Sequence, residues 1–161
     1  MSNFKSMIRS SFLFLLSLAA VGCAAGGSGN GGGSSFVRMD MGNNTIQNFQ
    51  EQTTDLLRRQ SFQIFRQDPA PAPLIESEWR NQTPTEDERA LGVTEIQVRI
   101  IVRGRAAGGS QRQYRFTYHM ETLVKTTTSP EWSEMPLTPE RTKYARDIGQ
   151  ELRTLFEMSR G

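Results

Sequence analysis

The sequence predicts an α+β fold: a two-layer sandwich in which an antiparallel sheet of four to five strands carries an N-terminal and a C-terminal helix packed on one face. Three observations carry this. Apolar residues recur at three- and four-residue spacing near both ends of the folded part, at Ile46, Phe49, Leu56 and Leu57 and again from Tyr144 to Phe156, as amphipathic helices require. Between them the period falls to two, as in Ile96, Val98, Ile100 and Val102 or in Tyr114, Phe116, Tyr118 and Met120, the pattern of strands with one buried face. Proline- and glycine-rich stretches cut the alternating part into separate strands.

The elements follow in order. Phe36 to Met41 reads either as a first edge strand or as the end of a linker. Asn44 to about Gln60 is a helix, with Asn44 as its cap, Gln47 placed for a capping-box exchange, and Thr53 filling the apolar stripe. Phe62 to Asp68 alternates as a strand. The run Asp68-Pro69-Ala70-Pro71-Ala72-Pro73 then removes ladder donors and stiffens the chain, so it is a connection. Leu74 to Arg80 is one strand, with Ile75, Ser77 and Trp79 on one face and Glu76, Glu78 and Arg80 on the other. The polar stretch from Asn81 to Gly92 is a surface loop with room for one helical turn near Thr85 to Arg89. Thr94 to Arg105 turns through Gly108 and Gly109 into Gln113 to about Thr127, a long hairpin in which Ile101 breaks the alternation. The last helix opens with Thr138 as cap, Pro139 in its first turn and Glu140 beside the positive end of its dipole, and its stripe adds Ala145, Ile148, Leu152 and Leu155.

Ahead of this domain, residues 1–22 read as a signal peptide: Lys5 and Arg9, an apolar run from Phe12 to Val21, and small residues at the end. The apolar run is shorter than the roughly 20 residues that cross a bilayer. Residues 23–35 follow as Cys23 and a Gly/Ser-rich tether, and residues 36–161 form the domain. Ala20-Val21-Gly22-Cys23 resembles the lipobox of bacterial lipoproteins, with Ala20 where leucine is usual. The resemblance implies that Cys23 becomes the first residue and carries acyl chains, enough in number for stable anchoring. Ala24 in place of Asp implies sorting to the outer membrane, facing the periplasm. A plain secretory signal cut near Ala25 is the other reading. The tether AAGGSGNGGGSS has too little apolar surface to order, and at 5–6 Å times the square root of its length it spans about 20 Å.

Charge excludes one class of partner. The chain has 19 basic and 17 acidic residues, and removal of Lys5 and Arg9 with the leader leaves 17 of each. A neutral chain without a basic cluster interleaved with aromatics has no drive toward nucleic acid. Cys23 is the only cysteine, so no internal disulfide forms.

No constellation suggests catalysis, a metal or a cofactor. His119, the only histidine, projects beside Thr117 and Glu121 as an exposed strand residue. Glu76 and Glu78 alternate with Ile75 and Ser77 as a solvated face, not an acid/base pair. Gly104 to Gly109 neither precedes a helix nor carries a Lys-Ser/Thr tail. Binding is what remains. Candidate surfaces are the polar sheet face with Arg99, Arg103, Arg115, His119 and Glu78, the groove between the two helices, and Trp132 with Met135 and Pro136. Trp132 reads either as an interface anchor or as a lid over the open end of the core.

The order of helix, strand ending in Asp68, Ile75-x-Ser77-x-Trp79 strand, two long strands, Trp132 and terminal helix resembles the helix-grip domains of the C lipoprotein of the β-barrel assembly machinery. It is also similar to the lipoprotein partner of the lipopolysaccharide translocon. The first resemblance implies a non-catalytic binding and assembly accessory of an envelope complex, with an outer-membrane or periplasmic protein as partner. The second implies an accessory of lipopolysaccharide or lipid transport. A structural lipoprotein of unassigned role is a third possibility.

Overall fold

The computed structural model describes residues 33–108 and 113–159. The signal peptide, Cys23 and most of the tether lie outside the described residues, as does Gly109 of the hairpin turn. The element order is β1 (Phe36–Asn44), α1 (Ile46–Arg59), β2 (Ile64–Asp68), β3 (Leu74–Ser77), β4 (Arg80–Gln82), α2 (Glu86–Ala90), β5 (Val93–Ala106), β6 (Tyr114–Thr126), β7 (Ser129–Ser133) and α3 (Pro139–Met158). The fold is α+β with one antiparallel sheet. Among the described residues the sheet has seven strands where four to five were expected: the main path runs β1-β6-β5-β3-β2, while β4 adds to β5 and β7 to β6.

The long β5–β6 hairpin is the frame. Its Ala106↔Tyr114 end is flanked by β1 and β3, and its Val93↔Thr126 end by β4 and β7. Alternation along the two strands buries Val98, Ile100, Val102, Phe116, Tyr118 and Met120 on one face, and these share a core with Phe49, Leu56 and Leu57 of α1 and Ala145, Ile148, Leu152 and Phe156 of α3. Phe116 stacks on Phe49 with ring centroids 4.3 Å apart and meets Phe156 edge-on at 5.7 Å. Such pairs add roughly 0.5–1.5 kcal/mol each beyond the area they bury. A smaller cluster of Val93, Ile96 and Val124, with Met135 against it, closes the other end of the hairpin.

Several local expectations change. The cap of α1 is Thr45, whose Oγ1 accepts from the Asn48 amide at 3.3 Å. Asn44 instead ends β1, buried, and its side-chain amide donates to the Phe156 carbonyl and the Ser159 hydroxyl. The end of α1 is a Schellman turn: Ser61 takes a left-handed φ of 58°, its N–H donates to the Arg58 carbonyl, and that of Phe62 donates to the Leu57 carbonyl. Phe62 therefore belongs to the cap, and β2 starts only at Ile64. Gly33 to Ser35, read as tether, are tied to the body, since Leu137 N–H donates to the Ser34 carbonyl at 3.0 Å and the Ser35 hydroxyl to Glu134 at 2.6 Å.

The predicted strand Leu74–Arg80 is broken. Glu76 pairs with Ile101, but Arg80 pairs with Val98, so three residues of the β3–β4 segment oppose two of β5. This is a bulge of one extra residue. Ser77 Oγ fills the gap by accepting from the Ile100 N–H at 2.9 Å. A one-residue slip turns every following side chain to the opposite face. Trp79, expected beside Ile75 and Ser77, therefore lies with Arg99 on the far side, and Arg80, expected in solvent, turns toward the helices.

Candidate binding surfaces

The face opposite the helices' core residues is read from the pairing. Arg38, His119, Ile101 and Glu76 form one cross-strand row, and Asp40, Thr117, Arg103 and Leu74 the next, with Arg105 opposite Arg115 beyond them. The four residues considered for partner binding divide into three groups on this frame. Arg99 is pinned: Nη1 donates to Glu76 and Nε to Glu121, both at 2.6 Å, and the guanidinium lies 4.6 Å from the Trp79 ring centroid. Trp132, half-buried on β7, takes the Lys125 ammonium over its ring at 4.7 Å. Arg103 and Arg115 are brought together with Arg38 and Arg105 around Thr117.

In that last group Arg115 is bonded through Nε to Asp40 at 3.0 Å. Hydrogen bonds from Arg115 and from the Gly42 N–H lower the Asp40 pKa, with the Arg115 charge adding to them. Arg38, Arg103 and Arg105 are exposed, and none of the described carboxylates pairs with them. Together with Phe36, Thr117 and His119 they line a hollow of ≈ 290 Å³.

His119 is not the exposed residue expected. It is half-buried, its Nε2 has no partner among the described groups, and Phe36 sits edge-on to it with centroids 4.6 Å apart. Burial lowers its pKa below 6.5; Glu121 opposes this, while the charges of Arg103, Arg38 and Arg99 add to it. The ring is therefore neutral at neutral pH and gives no positive charge to the hollow. Among the described residues no cluster of His, Cys, Asp and Glu is arranged to hold a metal.

A second surface escaped the sequence. β2 is the terminal strand on the main path, and four of its five residues, Ile64 to Gln67, are exposed. Ile64 is 37% and Phe65 68% exposed, beside a hollow of ≈ 520 Å³ lined by Thr54, Arg58, Ser61, Phe62, Gln63 and Ile64. Nothing in the local alternation of Phe62 to Asp68 says that this strand takes an edge, because strand order is a property of the whole sheet.

A third site is structural. Arg141 in the first turn of α3 is 3% exposed and Glu88 of α2 is 2% exposed. Arg141 Nε and Nη2 donate to the two Glu88 oxygens at 2.9 and 2.8 Å, and Nη2 also reaches the Thr83 carbonyl at 3.2 Å. Glu88 completes a capping box by accepting from the Thr85 N–H at 2.7 Å. Burial alone raises a carboxyl pKa, yet the bonds from Arg141 and Thr85 and the Arg141 charge outweigh it and hold Glu88 below 4.5. Beside this pair, Tyr144 OH accepts from Arg80 and Gln82, each at 2.7 Å.

These features define an α+β sheet protein with an arginine-bearing outer face and an apolar edge strand that no further described strand covers. Neither a protein family nor a curated protein matches the chain.

Proposed function

We propose that the chain is a lipid-anchored, non-catalytic binding and assembly accessory of an envelope complex, held through Cys23 at the periplasmic side of the outer membrane, with a two-layer domain whose long helices share the apolar sheet face. The observation that carries the binding role is the margin at β2, whose outer side no described strand pairs. Natural sheets blunt or cover their edges because a row of unpaired backbone groups recruits other strands. Here the edge carries exposed Ile64 and Phe65 beside a hollow at the end of α1. A partner segment added there extends the sheet by a strand and takes Phe65 out of water. The anchor is supported by the basic start, the run from Phe12 to Val21 and the small residues before Cys23.

A lipid-carrying role calls for an acyl cavity between sheet and helices. Against that, α3 lies close on the sheet at Gly149, where an added Cβ would lie 2.5 Å from Met39 Sδ and 3.0 Å from the Tyr118 ring. The test is a photo-crosslinking residue at position 65 in living cells. An adduct with an outer-membrane or periplasmic protein is expected. It should disappear with Ile64→Asp or Cys23→Ala and be absent when the crosslinker replaces Met158, which is 74% exposed elsewhere. Free monomer alone from position 65 would reject the reading.

A further inference from the structure

The arginine group on the outer face is more cationic than its neighbours can neutralise. Arg105 and Arg115 stand directly opposite each other across β5 and β6, a placement that destabilises a sheet unless a counter-charge intervenes. Asp40 answers Arg115. Arg38, Arg103 and Arg105 are left around the hollow, whose floor is Thr117 and neutral His119. On its rim stands Phe36, 43% exposed. Phe36 is also the first residue of β1, and Gly33 to Ser35 lead into it along Leu137 and Glu134, so the N-terminal end of the described chain lies within a few residues of this rim.

We propose that this arginine face lies on an anionic lipid surface, with the guanidinium groups of Arg38, Arg103 and Arg105 on lipid phosphates and Phe36 among the headgroups. The proposal rests on reading Cys23 as an anchor. A planar guanidinium fork matches phosphate oxygens bidentately, and an exposed aromatic beside basic residues suits the membrane interface. With Gly33 to Ser35 held on the body, the nine residues from Ala24 to Gly32 would span roughly 15–18 Å and keep the face at high effective concentration over the bilayer, so individually weak contacts suffice. Each basic residue near an anionic surface strengthens binding by a factor of about five. An acidic protein would answer the same charge, but the chain's entry point favours the membrane. The β2 edge at the other margin of the sheet stays free for a protein partner.

The mature chain, purified with its native N-terminus, is placed in vesicles of phosphatidylcholine alone or with phosphatidylglycerol added. It is then labelled with phenylglyoxal, which modifies accessible arginines, and each site is read by mass spectrometry. Arg38, Arg103 and Arg105 are expected to label about fivefold more slowly on the anionic vesicles. The protection should vanish at about 1 M salt, where the screening length falls to about 3 Å. Arg58, whose side chain is 75% exposed on α1, should label equally on both. Equal labelling of the three arginines on the two vesicle types overturns the proposal. So does protection by inorganic phosphate on neutral vesicles with no further gain from phosphatidylglycerol, which would make the hollow a site for a soluble anion. Intact mass of the same sample reads the anchor separately. An unacylated N-terminus removes the anchor, while protection on anionic vesicles would still uphold the face.

Discussion

The buried Arg141–Glu88 pair is where a single substitution should cost most. Glu88→Ala removes both oxygens that receive Nε and Nη2, leaving a guanidinium that is 3% exposed with only Gln82 and the Thr83 carbonyl to bond. An uncompensated charge at such a site costs about 3–5 kcal/mol, of which about 1 kcal/mol belongs to the lost capping box. Arg141→Met strands the carboxylate instead and should cost a similar amount. The Glu88→Ala/Arg141→Met double variant leaves no charge unpaired and should lie close to either single, giving a coupling energy of about 3 kcal/mol. Urea unfolding at neutral pH measures all three against a total domain stability of about 5–15 kcal/mol. The pH dependence supplies the sign. Because the folded Glu88 pKa lies below the 4.5 of the free group, its contribution is complete above pH 4.5 and is lost as pH falls through the folded value. Glu88→Gln should remove that part of the acid sensitivity. Single substitutions that each cost under about 1 kcal/mol, or costs that simply add in the double, would refute the account.

Three further outcomes follow from local geometry. Ser61 holds a left-handed φ of 58° in the Schellman turn, so Ser61→Gly should stabilise the domain by about 1 kcal/mol in urea titration, and a loss would mean the turn is not as described. A Cβ on Gly104 would lie 2.5 Å from Phe116 Cε1 and 2.6 Å from Pro73 Cγ; Gly104→Ala should cost about 1–3 kcal/mol by overpacking, read as a lower thermal midpoint. Burial keeps the His119 pKa below 6.5, so the unfolded chain protonates first and stability falls as pH drops below 6.5, an effect that His119→Gln should flatten in pH-dependent unfolding.

What could be read from the chain depended on whether a feature is local. α1, α3 and the β5–β6 hairpin announce themselves because their buried residues recur at a fixed period over many positions, and the cap at Thr138 sits in the residues that form it. β7 does not, since five residues around Trp132 carry no alternation and become a strand only by pairing with β6. The same holds for the sites. Arg103 and Arg115 lie on the polar side of alternating strands and were legible one strand at a time. Arg38 and Arg105 join them only through the pairing of β1 with β6 and of β6 with β5. The Arg141–Glu88 pair joins residues 53 positions apart; Thr85 three residues ahead of Glu88 marks a helix start, but nothing local says that Glu88 meets Arg141 in the interior.

The bulge between β3 and β4 shows how much one residue decides. Without it, Leu74 to Arg80 would be the single strand its alternation suggests, Trp79 would enter the core, and Arg80 would face solvent. With it, Arg80 turns inward, bonds the Gln60 carbonyl left open at the end of α1, lies 4.0 Å over the Phe62 ring and donates to Tyr144 of α3. One side chain thereby joins the Schellman turn to the last helix and supplies the positive charge that the negative end of α1 favours. Trp79, turned outward, covers Arg99 while that arginine is held by Glu76 and Glu121. The local sequence carries only one sign of this, Ser77, whose hydroxyl can stand in for a carbonyl in the ladder. Ser77→Ala should therefore do more than delete a hydroxyl. It leaves the Ile100 N–H buried without its acceptor, at a cost of about 1–3 kcal/mol. It also loosens the slip that sets which face Trp79 and Arg80 occupy. Unfolding energies together with Trp79 fluorescence separate the two effects. A stability loss with an unchanged Trp79 spectrum would mean that the extra residue alone holds the bulge.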